Sequence, residues 1–199
     1  MDVELAYGKF LVEAARAAIN AHLSGVELKT EFPKWCSEKR GVFVTLNTRD
    51  GNLRGCIGFP LPVYPLKDAL VHAAESAATE DPRFPPVDAE ELDGLLVEVS
   101  VLTVPEQIKE PVKNALKEIV IGRDGLIIRK GPFSGLLLPQ VPVEWEWGVE
   151  EFLDNTCNKA GLPAGYWKEQ GVVLSKFSAE VFSETAPSGR IVKKELTKK

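Results

Sequence analysis

The chain has 199 residues, of which 44% are hydrophobic, 27% charged and 8% aromatic, a composition that excludes collagen, coiled-coil and disordered classes. Its net charge of −5 is uneven: the last ten residues hold five Lys or Arg against one Glu, leaving the body at −9, a poor match for a nucleic-acid backbone. No run of 18 apolar residues and no signal-peptide pattern is present, so no membrane partner is expected.

Residues 3–23 repeat apolar positions at helical spacing (Leu5, Phe10, Ala14, Ala17, Ala18, Ala21), with Asp2 placed to cap the start and Gly25 the end. Residues 41–48 and 53–59 read as two strands joined at Asp50-Gly51. Pro60, Pro62 and Pro65 break the pattern before an alanine-rich helix over 66–79, which the prolines at 82, 85 and 86 terminate. A strand is predicted over 94–104, a short helix over 112–119, strands near 119–122 and 126–130, a helix over 149–160 and a final strand over 172–184. Tight turns between neighbouring strands impose antiparallel pairing. The expected class is therefore α+β, a mixed, largely antiparallel sheet flanked by helices. A single domain over 1–190 is expected, with sub-domain seams near 60–65 and 85–90 and a solvated basic tail over 191–199.

The cysteines stand at 36, 56 and 157. No C-x-x-C pair or Cys/His cluster has zinc spacing, so free thiols in a reducing cytoplasm are expected, without metal or cofactor. One Met and three Gln beside 14 Pro fit a thermophile's composition. With Asp50 and Gly51 as a two-residue loop, Arg49 faces Asn52, Thr48 faces Leu53, Asn47 faces Arg54, Leu46 faces Gly55, Thr45 faces Cys56 and Val44 faces Ile57. Alternation then sends Val44, Leu46, Leu53 and Ile57 to the core and Thr45, Asn47, Arg54 and Cys56 to the other face. Arg54 shares Cys56's face, and a nearby guanidinium lowers a thiol's pKa. Gly55 and Gly58 flank the cysteine and are expected to keep room around the sulfur. A buried free cysteine acting as a small hydrophobe is the alternative; Cys36 and Cys157 read that way.

Leu53-Arg54-Gly55-Cys56-Ile57-Gly58 resembles the signature hexapeptide of the AMMECR family. The resemblance continues in order through Asp81-Pro82-Arg83-Phe84, Val97–Leu102, Ile121-Gly122 with Gly125–Ile128, Gly135–Val141, and Phe152-Leu153 to Lys159–Pro163, covering about residues 5 to 185. Gly58-Phe59-Pro60 departs from the family's more common Gly-Thr-Phe. The resemblance implies an α+β fold of two sub-domains with the hexapeptide in the cleft between them. It assigns no reaction. The company of a Memo-like protein and a radical-SAM protein, which microbial members often keep, implies a modification pathway.

Two readings follow. In the first, Cys56 is a nucleophile in a ligand-binding or catalytic cleft, Arg54 stabilises its thiolate or an anionic substrate, and Glu98 is a candidate base or the partner of Arg54 or Arg83. Thr45, Asn47, Gly55, Gly58, Asp81, Arg83 and Gln140 line that site for a small molecule. In the second, the chain is a non-catalytic binding or adaptor module for a protein partner, with Trp145, Trp147 and Trp167 as contact residues.

Overall fold

The computed structural model describes residues 3–194. In chain order the elements are α1 (Val3–Ser24), β1 (Gly41–Asn47), β2 (Leu53–Phe59), α2 (Leu66–Thr79), α3 (Ala89–Leu92), β3 (Leu96–Leu102), β4 (Glu106–Gln107), α4 (Pro111–Glu118), β5 (Asp124–Lys130), β6 (Phe133–Leu137), α5 (Gln140–Glu144), α6 (Val149–Lys159), β7 (Val173–Glu184) and β8 (Ile191–Lys194). Every registered strand pair is antiparallel, and the class is α+β. The predicted strand at 119–122 is absent. There the chain turns instead, with Gly122 at φ 82° and the Asp124 carboxylate accepting from the Val120 amide at 2.9 Å. The expected cap Asp2 lies outside the described residues.

The chain forms two compact units, one reaching to Leu102 and including Glu180–Lys194, the other Thr103–Ala179. The divisions fall at 102/103 and 179/180 rather than at the proline-rich stretches near 60–65 and 85–90. Those prolines end β2 and α2, and the segments on either side of them pack into one shared core.

In the first unit the strand order is β2-β1-β3-β7, with β8 on β7. Val42, Val44, Leu46, Val97 and Val99 are fully buried, against Leu11, Ala15, Ile19, Leu70, Ala73 and Ala74 of α1 and α2. Small side chains let α2 approach closely: a Cβ on Gly55 would stand 2.1 Å from the Ala77 carbonyl oxygen. Arg16 of α1 is buried and bonds both Glu184 oxygens at 2.7 and 2.5 Å and the carbonyls of Leu92 and Leu95, while Glu184 also accepts from the Val97 amide at 2.9 Å. Residues 191–194, expected in a solvated tail, form β8. Ile191 sits in the core, and the backbone pairs Lys194 with Val181. Residues 195–199 lie outside the described residues.

In the second unit β6, β5 and β7 pair in that order and β4 pairs with β7. Leu126, Ile128, Phe152, Leu153, Cys157, Trp167 and Leu174 form its core.

Candidate functional site

The Cys56 segment begins at the hairpin, whose turn differs from the expected one. The Thr48 amide bonds the Asn52 carbonyl at 2.8 Å and the Gly51 amide bonds the Thr48 carbonyl at 2.9 Å, so the loop has three residues and Gly51, at φ 82°, takes the left-handed position. Thr48 therefore faces Asn52, and Asn47 faces Leu53. A bulge then restores the expected register from Leu46↔Gly55 through Thr45↔Cys56 and Val44↔Ile57 to Val42↔Phe59. Arg54 is the extra residue. The one-residue slip puts Leu53 on Asn47's face, and Leu53 is 40% exposed rather than in the core.

β2 ends the sheet, which leaves alternate backbone groups without a strand partner. At Cys56 these groups are taken by Asp81 and Arg83. The Cys56 amide donates to Asp81 Oδ2 at 2.8 Å, and Arg83 Nη2 donates to the Cys56 carbonyl at 3.3 Å. Because that amide points outward, Thr45 and Cys56 form the non-hydrogen-bonded kind of pair, with Cα atoms about 4.5 Å apart and side chains close. The Thr45 hydroxyl accordingly donates to Cys56 Sγ at 3.2 Å.

Asp81 is buried and also accepts from the Arg83 amide at 3.1 Å and from Arg83 Nε and Nη2 at 2.9 and 2.7 Å. The Arg83 hydrogen bonds hold its carboxyl well below the usual carboxylate range, against the opposing effect of burial, and the Cys56 amide adds to the shift. Asp81 in turn raises the Arg83 guanidinium, with a smaller contribution from Cys56. The arginine bonded to Cys56 is thus Arg83, through the backbone carbonyl. Arg54, expected in that role, forks onto Glu91 through bonds of 2.5 and 2.9 Å. Both guanidinium groups lie near the Phe84 ring, at 5.8 Å for Arg54 and 5.6 Å for Arg83.

Register places Glu98 directly opposite Thr45, so Cys56, Thr45 and Glu98 form one row across three strands. The carboxylate of Glu98 pairs with Lys194 of β8, not with Arg54 or Arg83 as expected. Asn47 lies on Thr45's face, two residues along β1. Both glycines stand where packing leaves no space for a side chain. Gly55 admits α2, and a Cβ on Gly58 would meet the Phe43 ring at 2.5 Å. Gln140 begins α5, in the second unit.

Cys36 and Cys157 are fully buried, as their sequence surroundings predict. Burial pushes the Cys36 thiol up to about 11 and raises that of Cys157. Cys56 is only partly buried, and all three thiols are free. Trp167, expected as a contact residue, is buried with its indole N–H on Asp154 at 2.9 Å, whereas Trp145 is 67% exposed and stacks on Trp147 at 6.1 Å. Among the described residues no three His, Cys, Asp or Glu side chains are grouped to hold a metal ion, and no helix is long and apolar enough to cross a membrane.

Sequence reasoning missed Glu91 and Lys194. Glu91 had a partial signal, since Asp88 three residues before it marks a helix start and accepts from the Glu91 amide at 2.7 Å, but nothing local pairs it with Arg54. Lys194 had a signal: Ile191-Val192, a β-branched pair, precedes Lys193-Lys194 inside the stretch read as tail.

The AMMECR1 family model matches residues 12–182. Protein PYRAB00100 of Pyrococcus abyssi is 52% identical over 197 residues, covering 96% of both chains. Protein MJ0810 of Methanocaldococcus jannaschii is 53% identical over 192 residues, covering 95% of this chain and 96% of its own. The crystal structure of the uncharacterized protein PH0010 from Pyrococcus horikoshii superposes with a TM-score of 0.84 at 52% identity, over 96% of this chain and 97% of that one. A family model that spans most of the chain, joined to relatives of this identity along nearly its whole length, establishes that the chain belongs to the AMMECR1 family.

Proposed function

We propose that Leu53–Gly58 carries a thiol-centred site in which Cys56 binds a ligand covalently or acts as a nucleophile in a modification reaction. The observation that carries this reading is the contrast among the three cysteines. Two are sealed in cores, with thiols that burial raises. The third is partly exposed, touches a hydroxyl through its sulfur and lies beside a half-exposed guanidinium. Partial exposure opens this sulfur to a reagent, an access the two sealed thiols are denied. With a carbonyl carbon as electrophile, the sulfur–carbon bond forms as the carbonyl π bond breaks, and the thiol proton ends on the carbonyl oxygen. Thr45 positions the sulfur, and Asp81 and Arg83 fix the edge of the strand beneath it. Three free thiols fit a reducing compartment, so we place the protein in the cytoplasm. The Memo-like and radical-SAM proteins implied by the family resemblance are proposed partners.

Brief alkylation with iodoacetamide, mapped by peptide mass spectrometry on the folded chain, tests the reading. Cys56 is expected to label at least tenfold faster than Cys36 and Cys157, in the way that accessible thiols outpace buried ones. Equal, slow labelling of all three would refute it. The exposed Trp145–Trp147 stack favours a second reading, a docking module for a protein partner. On that reading Trp145→Ala weakens the complex and leaves alkylation unchanged.

A further inference from the structure

We infer that the Cys56 site takes a small anionic substrate, carrying a carboxylate or phosphate, and that Lys194 of β8 determines this specificity. The inference rests on the reading of Cys56 just given.

Two ion pairs stand along Cys56's row and beside it, and both are turned the same way. In Asp81–Arg83 the carboxylate side chain is 2% exposed and the guanidinium 53%. In Glu98–Lys194 the carboxylate is 16% exposed and the ammonium 49%. Each pair is neutral in sum, yet each keeps its anion inside and offers its cation to solvent. A solute meeting this face meets positive charge at both positions. The third pair nearby, Arg54–Glu91, is reversed, with the guanidinium 12% and the carboxylate 36% exposed. It lies two residues toward the hairpin tip, so the cationic stretch runs from Cys56 toward β8.

The dimensions point to a small molecule. Strands stand about 4.8 Å apart, so the Cys56 and Glu98 positions, two strands from each other, are separated by about 10 Å. A substrate that sets its anion at the Lys194 end of the row and its electrophilic carbon at Sγ therefore spans about 10 Å. Lys194 is held in place for this task. Ile191 anchors its strand in the core, β7 pairs with it, and Glu98 fixes the ammonium on the row.

The test compares two reagents with the same leaving group and opposite electrostatic demand: iodoacetate, an anion, and iodoacetamide, which is neutral. With either, the Cys56 thiolate forms a sulfur–carbon bond, the carbon–iodine bond breaks and iodide departs. The readout is the iodoacetate-to-iodoacetamide rate ratio at Cys56, divided by that ratio for N-acetylcysteine under the same conditions. A cation about 5 Å from the incoming carboxylate raises this quotient roughly fourfold at low ionic strength, and the rise shrinks in concentrated salt. Lys194→Gln is expected to lower it to the part that Arg83 sustains, and Lys194→Arg to restore it. Glu98→Gln, which leaves the ammonium uncompensated, is expected to raise it further. A quotient near one in the unaltered protein, or one that Lys194→Gln leaves unchanged, would overturn the inference while leaving a reactive Cys56 intact. Failure of both reagents at Cys56 would instead overturn the thiol reading itself, and the inference with it.

Discussion

Asp81 is the residue on which the local order of the site depends. Its carboxylate joins the Cys56 amide of an edge strand to the backbone and guanidinium of Arg83. Asp81→Asn removes the charge from these hydrogen bonds, and we expect a loss of about 2 kcal/mol in denaturant unfolding. Because the folded carboxyl is held below its ordinary value of 3.8, its stabilising effect is present above about pH 4 and fades as pH falls; Asp81→Asn removes this part of the acid dependence. The alkaline side has the opposite sign. Burial raises Cys36 from 9.0 to about 11 and Tyr7 from 10.0 to about 12. The unfolded chain releases these protons first, so stability is complete below pH 9 and falls between 9 and 11 for Cys36, by roughly 2–3 kcal/mol. Urea titrations of Cys36→Ala against the parent over that range are expected to converge as pH rises. Gly55 is a separate case. Its added methyl meets a helix carbonyl that cannot rotate away, so Gly55→Ala is expected to cost about 3 kcal/mol and lower the melting temperature.

Among the elements, the hairpin shows how local chemistry and register compensate one another. The Asp-Gly pair in the sequence marks a turn but does not fix its length. A three-residue loop shifts the pairing by one, and a bulge at Arg54 shifts it back before Cys56. The facing of Cys56 and Thr45 was therefore legible, while Leu53 and Arg54, between the turn and the bulge, were not. The buried Arg16–Glu184 pair links α1 to the end of β7 and to the entry of β3. Arg16 falls among the core-facing residues of an alanine-rich helix, and its partner is 168 positions away. No short-range pattern identifies such a pair. Glu184→Gln leaves a buried guanidinium without its counter-charge, and chemical denaturation is expected to show a loss of about 3–5 kcal/mol.

For the molecule as a whole, β8 changes what the end of the chain means. A terminal run of lysines ordinarily reads as solvated, and the composition of 190–199 supports that expectation. In the fold, Ile191 is buried and Lys194 reaches Glu98. Truncation after Arg190 is expected to lower hydrogen-exchange protection in β7 and β3 of the first unit and to spare the core around Trp167 in the second.

The sequence by itself determined the class, the longer helices and strands with most of their bounds, and the row position of Cys56, because these follow from periodicity, turn residues and antiparallel alternation, all properties of neighbouring residues; the short α3, β4, β6, α5 and β8 escaped it. Only the tertiary structure decided which charge meets which. Arg83 rather than Arg54 bonds the cysteine, at its backbone carbonyl, Lys194 rather than an arginine meets Glu98, and Gly55 admits a helix. Ion pairs and close approaches depend on where distant segments come together, and that is set by packing over the whole core, not by spacing along the chain.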